Sequence, residues 1–187
     1  VIEEAVSLVK ELLGIGADYD VLFLTGGASM QFAMVPMNFL NEGETAAYID
    51  TGAWSDKAIK EAKLFGHVEV IGSSKEDKYT TIPKNINVPP TAAYLHITTN
   101  ETIAGTQWHN LPYDCGVPLV ADMSSDILSR QLDFNKFDLI YAGAQKNMGA
   151  AGVNLVVVNK NILGKVNRSI PTILDYRNHI KEGSMLN

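Results

Sequence analysis

Cysteine, long apolar runs and positive charge are all scarce in this chain. Cys115 is the single cysteine, so no internal disulfide forms, and no Cys/His cluster with zinc-ligand spacing occurs, so no metal site is expected. A reducing, cytoplasmic setting follows as the expectation. No apolar stretch approaches the ~20 residues that span a bilayer, and the opening VIEEAVSLVKELLG carries acids where a secretory leader is basic. Fifteen Lys and Arg stand against 21 Asp and Glu, a formal net charge of -6. That balance argues against nucleic acid or an anionic membrane as partner. A small acidic substrate held in a locally positive pocket stays open.

What is present suits one globular domain: 187 residues, 46% of them hydrophobic, suffice for a substantial core. The opening reads as an amphipathic helix with Ile2, Ala5, Val6, Val9, Leu12 and Leu13 on one face and Gly14 as its stop. Because Val1 falls inside that helix pattern without an initiator methionine, a piece of something longer is expected. Seven short apolar runs read as strands: 21–25, 46–50, 68–72, 93–99, 118–122, 138–142 and 153–158. Runs this apolar predict burial on both faces, as in a largely parallel sheet. Helices are predicted over 28–40, 54–65 and 124–130. In the second of these Ala58, Ala62 and Phe65 form a stripe that Gly66 ends. The last two strands are joined only by GAQKNMGAAG, shorter than the ~12 or more residues of a parallel crossover, so the seventh strand is predicted antiparallel. Residues 73–93, polar and proline-bearing, read as a surface excursion.

Ligands of open α/β sheets collect where strands end, and the informative residues lie there. TGGASMQFA after the first strand offers glycines for a tight turn and a helix start whose free N–H groups favour phosphate, though a plain turn and cap gives the same pattern. Trp54, just past the second strand, either stacks on a flat ring or simply packs. Asn100 and Thr102 follow the fourth strand as turn residues or ligands, and Asp122 ends the fifth as a helix cap or a functional acid. Lys146 changes the weighting. It sits between two apolar runs, FDLIYA and VNLVVV, where a charge near a core needs a partner or a task. A strand-end lysine, a nearby strand-end aspartate, an aromatic and a phosphate cup compose what pyridoxal 5'-phosphate requires: an amine for its aldehyde and an acid for its ring nitrogen.

The stretches GGASMQFAMVPMNFL, YIDTGAWSDKAIKEA, TTNETIAGTQW, ADMSSDILSR, YAGAQKNMGAAG and ILDYRNHIKEGSMLN closely resemble the phosphoserine branch of the class-V aminotransferases, in the same order along nearly the whole chain. The resemblance implies an α/β fold: a three-layer, mostly parallel seven-stranded sheet with helices on both faces, the large domain of a fold type I pyridoxal-phosphate enzyme, like that of aspartate aminotransferase. It implies that residues 1–187 form the cofactor-binding large domain, with a substrate-binding N-terminal segment and a C-terminal small domain lying outside. Lys146 then matches the lysine that carries the cofactor and later moves the substrate α-proton. Asp122 matches the acid at the ring nitrogen, Trp54 the stacking aromatic and Thr102 the hydroxyl near the phenolic oxygen. Ala28, Ser29 and Gln145 match phosphate contacts, and Asn187 a residue reaching the neighbouring subunit's phosphate. The family's reaction interconverts O-phospho-L-serine plus 2-oxoglutarate with 3-phosphohydroxypyruvate plus L-glutamate, in serine and, in bacteria, pyridoxine biosynthesis, by a homodimer with shared sites. The alternatives are a class-V enzyme for another small amino acid and a non-catalytic α/β binding module. A nucleotide-binding domain is disfavoured, since GAQKNMG fits neither G-x-x-x-x-G-K-[ST] nor G-x-G-x-x-G.

The remaining titratable groups read as structural. His96, inside a strand, is expected in the core; His67, His109 and His179 are expected in loops or at helix ends without partners. Cys115 invites comparison with cysteine desulfurases but reads as an incidental thiol, and Arg130 as a helical ion-pair partner of Asp126.

Overall fold

A computed structural model describes residues 1–186. Two hydrophobic clusters flank a single sheet, because successive side chains along each central strand point to opposite faces. In β8 (Leu139–Gly143) Ile140 and Ala142 join one cluster, while Leu139 and Tyr141 join the other. In β9 (Asn154–Asn159) Leu155 and Val157 divide from Val156 and Val158 in the same way. This two-sided burial is why the strands read as continuous apolar runs.

The seven-stranded sheet has the order β1-β9-β8-β7-β4-β2-β3, with β1 at Tyr19–Leu24, β2 at Thr45–Asp50, β3 at His67–Ser73, β4 at Leu95–Thr98 and β7 at Leu119–Asp122. Strand β9 runs antiparallel to both of its neighbours, and the other pairings are parallel, as the short connection before it predicts. A small hairpin, β5 (Asn100–Glu101) with β6 (Thr106–Gln107), was not foreseen. Helix α1 (Ile2–Leu13) packs Val6, Val9 and Leu13 on one face of the sheet, and Gly14 ends it in the left-handed conformation. Leu12, expected on the buried stripe, is 65% exposed. Helices α2 (Gly27–Phe39) and α3 (Ala53–Ala62) cover the other face. So does α4 (Tyr176–Lys181), which has too few residues to show a period.

The helix expected over 124–130 is a run of turns instead. One helical turn starts, with the Ile127 N–H donating to the Met123 carbonyl at 2.9 Å. It stops because Leu128 adopts a positive φ of 61° and because Asp122 draws the Ser124 N–H to its carboxylate. Residues 74–92 hold no helix or strand, as expected, yet Ile82, Ile86 and Val88 pack on the core, and the strand expected from 93 begins only at Leu95. His179 does have a partner: its ring Nε2 lies 2.7 Å from the Ile173 carbonyl oxygen.

Candidate active site

Parallel strands all end on the same side, so β2, β4, β7 and β8 deliver their last residues to one edge of the sheet. There a cavity of about 160 Å³ is lined by Ala28 and Ser29 from α2, Trp54 from α3, Thr98 from β4, Asp122 from β7, and Gln145 and Lys146 from the loop after β8. Seven positions singled out in the sequence, Asn100 among them, therefore converge, and Thr102 joins them through Lys146. Asn187 lies outside the described residues.

Asp122 is 5% exposed and stands directly across the ladder from Thr98. Its Oδ1 accepts from the Ser124 hydroxyl at 2.6 Å and the Ser124 N–H at 2.9 Å. That hydroxyl in turn accepts from the Gly143 N–H at 3.1 Å. The aspartate thus caps the turn it begins, as one sequence reading held, and keeps Oδ2 free of any such bond among the described residues. Burial pushes its pKa up to about 6, against the opposing pull of the Ser124 hydrogen bonds and the Lys146 charge. The Thr98 hydroxyl, also buried, has no hydrogen-bond partner among the described residues. An open carboxylate oxygen and an orphaned hydroxyl side by side form a polar wall that a ligand bearing a cationic donor would complete.

Lys146 is exposed, contrary to the burial its apolar flanks suggest. The segment leaves β8 at Gly143 and turns back on itself, with the Ala144 N–H donating to the Val153 carbonyl and the Gly149 N–H to that of Ala144. The lysine rides on this turn, and its ammonium donates to the Thr102 hydroxyl at 2.6 Å and lies 5.3 Å from the Trp54 ring centroid. Lys57 lies 4.3 Å from the same ring. Gln145 folds back over Gly143, where a Cβ would meet its Oε1 at 2.7 Å.

At the other wall, Gly26 and Gly27 take φ values of 84° and 64° and open α2 without a side-chain cap. The first-turn N–H groups at Ala28 and Ser29 therefore face the cavity edge with no capping side chain, the arrangement that suits an anion. Trp54 is placed by a group the sequence reading passed over. Glu101, 1% exposed, accepts from the Trp54 N–H at 3.2 Å and the Ser55 N–H at 2.9 Å. A separation of 47 positions hides that contact from any local pattern.

Of the other candidates, His96, Arg130 and Cys115 stay outside the cavity. His96 is a core residue, as expected, with its Nε2 2.8 Å from the Tyr141 hydroxyl and its ring stacked on Tyr48; burial holds its pKa down at about 3. Arg130 does approach Asp126, at 3.8 Å, but from a turn and not a helix. Asn100 binds Ser125, donating to its hydroxyl at 2.8 Å, and lines the cavity edge. Cys115 is half-buried and donates to the Val117 carbonyl; burial raises its pKa, the reverse of what a reactive thiol needs.

Residues 1–172 match the aminotransferase class-V model, and the chain belongs to that family. Within it, the chain is 59% identical to the phosphoserine aminotransferase of Flavobacterium psychrophilum over 100% of its own length and 52% of the relative's. The phosphoserine aminotransferase structure from Bacillus circulans subsp. alkalophilus superposes with a TM-score of 0.95 at 50% identity, over 100% of this chain and 52% of that one. A pyridoxal-phosphate-bound phosphoserine aminotransferase from Trichomonas vaginalis gives 0.86 at 33% identity, over 100% of this chain and 53% of that one. The chain spans about half the length of the relatives it matches. The sheet order and these likenesses bear out the expected fold type I architecture.

Proposed function

We propose that this chain is the pyridoxal-phosphate-holding domain of an aminotransferase that interconverts O-phospho-L-serine plus 2-oxoglutarate with 3-phosphohydroxypyruvate plus L-glutamate. The observation that carries the reading is the meeting of Lys146, Asp122, Trp54 and the start of α2 on one cavity at the strand ends. When bound, the cofactor supplies an aldehyde for amine capture and an electron-withdrawing ring.

Each residue's part follows from its surroundings. Lys146 would hold the cofactor covalently, and its free amine would take the proton from the substrate α-carbon. Thr102, already bonded to that amine, keeps it on the cavity side and lies where a phenolic oxygen would share its hydroxyl. Asp122 is built to keep a proton on a ring nitrogen. With a pKa near 6 it is mostly ionised at neutral pH, and the burial that makes its lone charge costly makes a charge-assisted bond to a cation strong. Trp54 gives the ring a flat wall. Ala28 and Ser29 present backbone N–H groups, and Gln145 an amide, to the phosphate. Asn187 and a two-fold dimer complete the proposal, each site borrowing from the neighbouring subunit.

The test is chemical. The chain is incubated with pyridoxal phosphate, reduced with borohydride and mapped by peptide mass. The adduct is expected on Lys146; a dominant adduct on another lysine would overturn the assignment. For the whole reaction, a version extended to the relatives' length is assayed with phosphoserine and 2-oxoglutarate, and preference for another amino donor would move the substrate reading elsewhere in the family.

A further inference from the structure

Helix α3 begins at a glycine, and Gly52 has no side chain with which to cap it. The first N–H groups of a helix need acceptors, and here two of them, on Trp54 and Ser55, are met by a carboxylate from a different part of the chain. Glu101 reaches across from the β5–β6 hairpin, one oxygen to each N–H. The fit is close: a Cβ on Gly52 would lie 2.7 Å from the Glu101 carboxyl carbon and from its Oε2. Glycine is therefore required at Gly52 for the acid to come in.

The same hairpin carries Thr102, the next residue, whose hydroxyl holds the Lys146 amine. It is tied down on its other side by Asn100, which exchanges hydrogen bonds with Ser125: the Asn100 amide donates to the Ser125 hydroxyl, and that hydroxyl donates to the Asn100 carbonyl. One buried side chain thus joins the segment that sets the lysine to the helix that sets the tryptophan.

We infer that Glu101 is a positioning residue, whose carboxylate fixes the Trp54 backbone against the Thr102 hairpin and so sets the indole wall at the distance from Lys146 that the cavity needs. It touches neither the amine nor the cavity's contents; it acts through Trp54 and Thr102. The inference rests on the cofactor reading for its purpose, but its geometry stands without it.

A near-isosteric change isolates the effect. Glu101→Gln keeps the shape yet offers one acceptor and one amide donor to two N–H donors, so one contact turns repulsive. The sequence has two tryptophans, so in a Trp108→Phe background Trp54 alone fluoresces. In the cofactor-free chain, E101Q is expected to lower Trp54 anisotropy and to speed amide exchange at Trp54 and Ser55 by about tenfold, the usual consequence of losing a helix cap. Asp138→Ala, which removes two hydrogen bonds at the far end of the sheet, serves as a comparably destabilised control and should leave both readings unchanged. After loading, E101Q should show weaker quenching of Trp54 and an altered circular dichroism band of the bound cofactor, while the borohydride adduct still forms on Lys146. Wild-type anisotropy and amide protection in E101Q would overturn the inference whatever Lys146 does. A wild-type chain that forms no Lys146 adduct would overturn the cofactor reading and leave the Trp54 measurement standing. If E101Q does not fold, Glu101→Asp, one methylene shorter with its charge kept, must show the anisotropy loss; its absence there is equally fatal.

Discussion

The two ends of the sheet treat their polar groups differently. At the end where β7 and β8 begin, Asp138 spends its carboxylate on the fold itself, accepting from the Leu119 N–H at 3.0 Å and from the Asn159 amide at 3.3 Å. Nearby on that end the Arg168 guanidinium closes onto the Leu40 and Phe65 carbonyls. At the opposite end, among the described residues, Asp122 satisfies one oxygen and leaves the other open, Thr98 keeps an unpartnered hydroxyl, and the Lys146 ammonium has one hydrogen bond, to Thr102. At one end Asp138 completes its hydrogen bonds within the chain, and at the other Asp122 and Thr98 carry polar atoms that a ligand would complete. Burial raises the pKa of both carboxylates, but Asp138 has both oxygens hydrogen-bonded and Asp122 one, among the described residues.

The sharpest way to break this contrast is Lys146→Ala. In a version of relatives' length it is expected to abolish the reducible adduct and lower transamination by at least about 10⁴-fold, since both amine capture and proton transfer go. Melting temperature should barely move, because the side chain is exposed. Residual turnover near wild type, by coupled assay, would place the chemistry elsewhere.

Asp122 tests whether burial there is a cost to the fold. Its folded pKa lies above its ordinary value, at about 6 against 3.8. Between those values the folded state holds more protons than the unfolded, so the stability this group contributes in the cofactor-free chain falls as pH rises from 4 to 6, by about 3 kcal/mol. His96 works in the reverse sense: with a folded pKa near 3 it costs stability as pH drops below 6.5. Asp122→Asn should therefore remove one slope and expose the other, giving a chain that loses stability more steeply on acidification, as followed by urea midpoints across pH. The same site's Asp122→Ala change in the extended enzyme should leave adduct formation possible and slow turnover by at least ~100-fold, on the scale of losing a major electrostatic stabiliser.

The smallest effect belongs to the far end. Asp138→Ala orphans the Leu119 N–H and is expected to cost about 1–2 kcal/mol in a denaturant titration. Adduct formation on Lys146 should be unaffected, and a lost adduct would show the two ends to be coupled.

The sheet was legible because its strands carry their own evidence in short apolar runs, although β3, at the sheet edge, is half-buried to exposed and not covered on both faces as its run suggests, and the direction of β9 followed from the length of one connection. Lys146, Asp122 and Trp54 were legible because they sit at strand ends in stretches shared with a known family. What stayed hidden depends on partners distant in sequence. Nothing near Glu101 announces that it caps a helix 47 positions earlier. The turn at 124–130 has a helix-like composition, and what prevents a helix is the Asp122 carboxylate with the left-handed backbone at Leu128. The exposure of Lys146 was misjudged because apolar flanks describe the strands on either side and not the turn between them.

That turn also bears on how the protein assembles. Because β9 reverses direction, β8, the Lys146 loop and β9 form a hairpin whose pairing, such as Gly143 with Asn154, is between near neighbours in sequence. Loops of this size close in roughly 10–100 ns, so the turn that carries the lysine is available from local contacts, whereas its partner Thr102 lies 44 positions away. The facing walls come together only through distant pairings, Thr98 with Asp122 and Glu101 with Trp54, which topology makes slow. The turn that carries Lys146 thus rests on near contacts and its enclosure on distant ones, so a chain lacking the distant pairings would display this lysine with neither Thr102 nor Trp54 opposite.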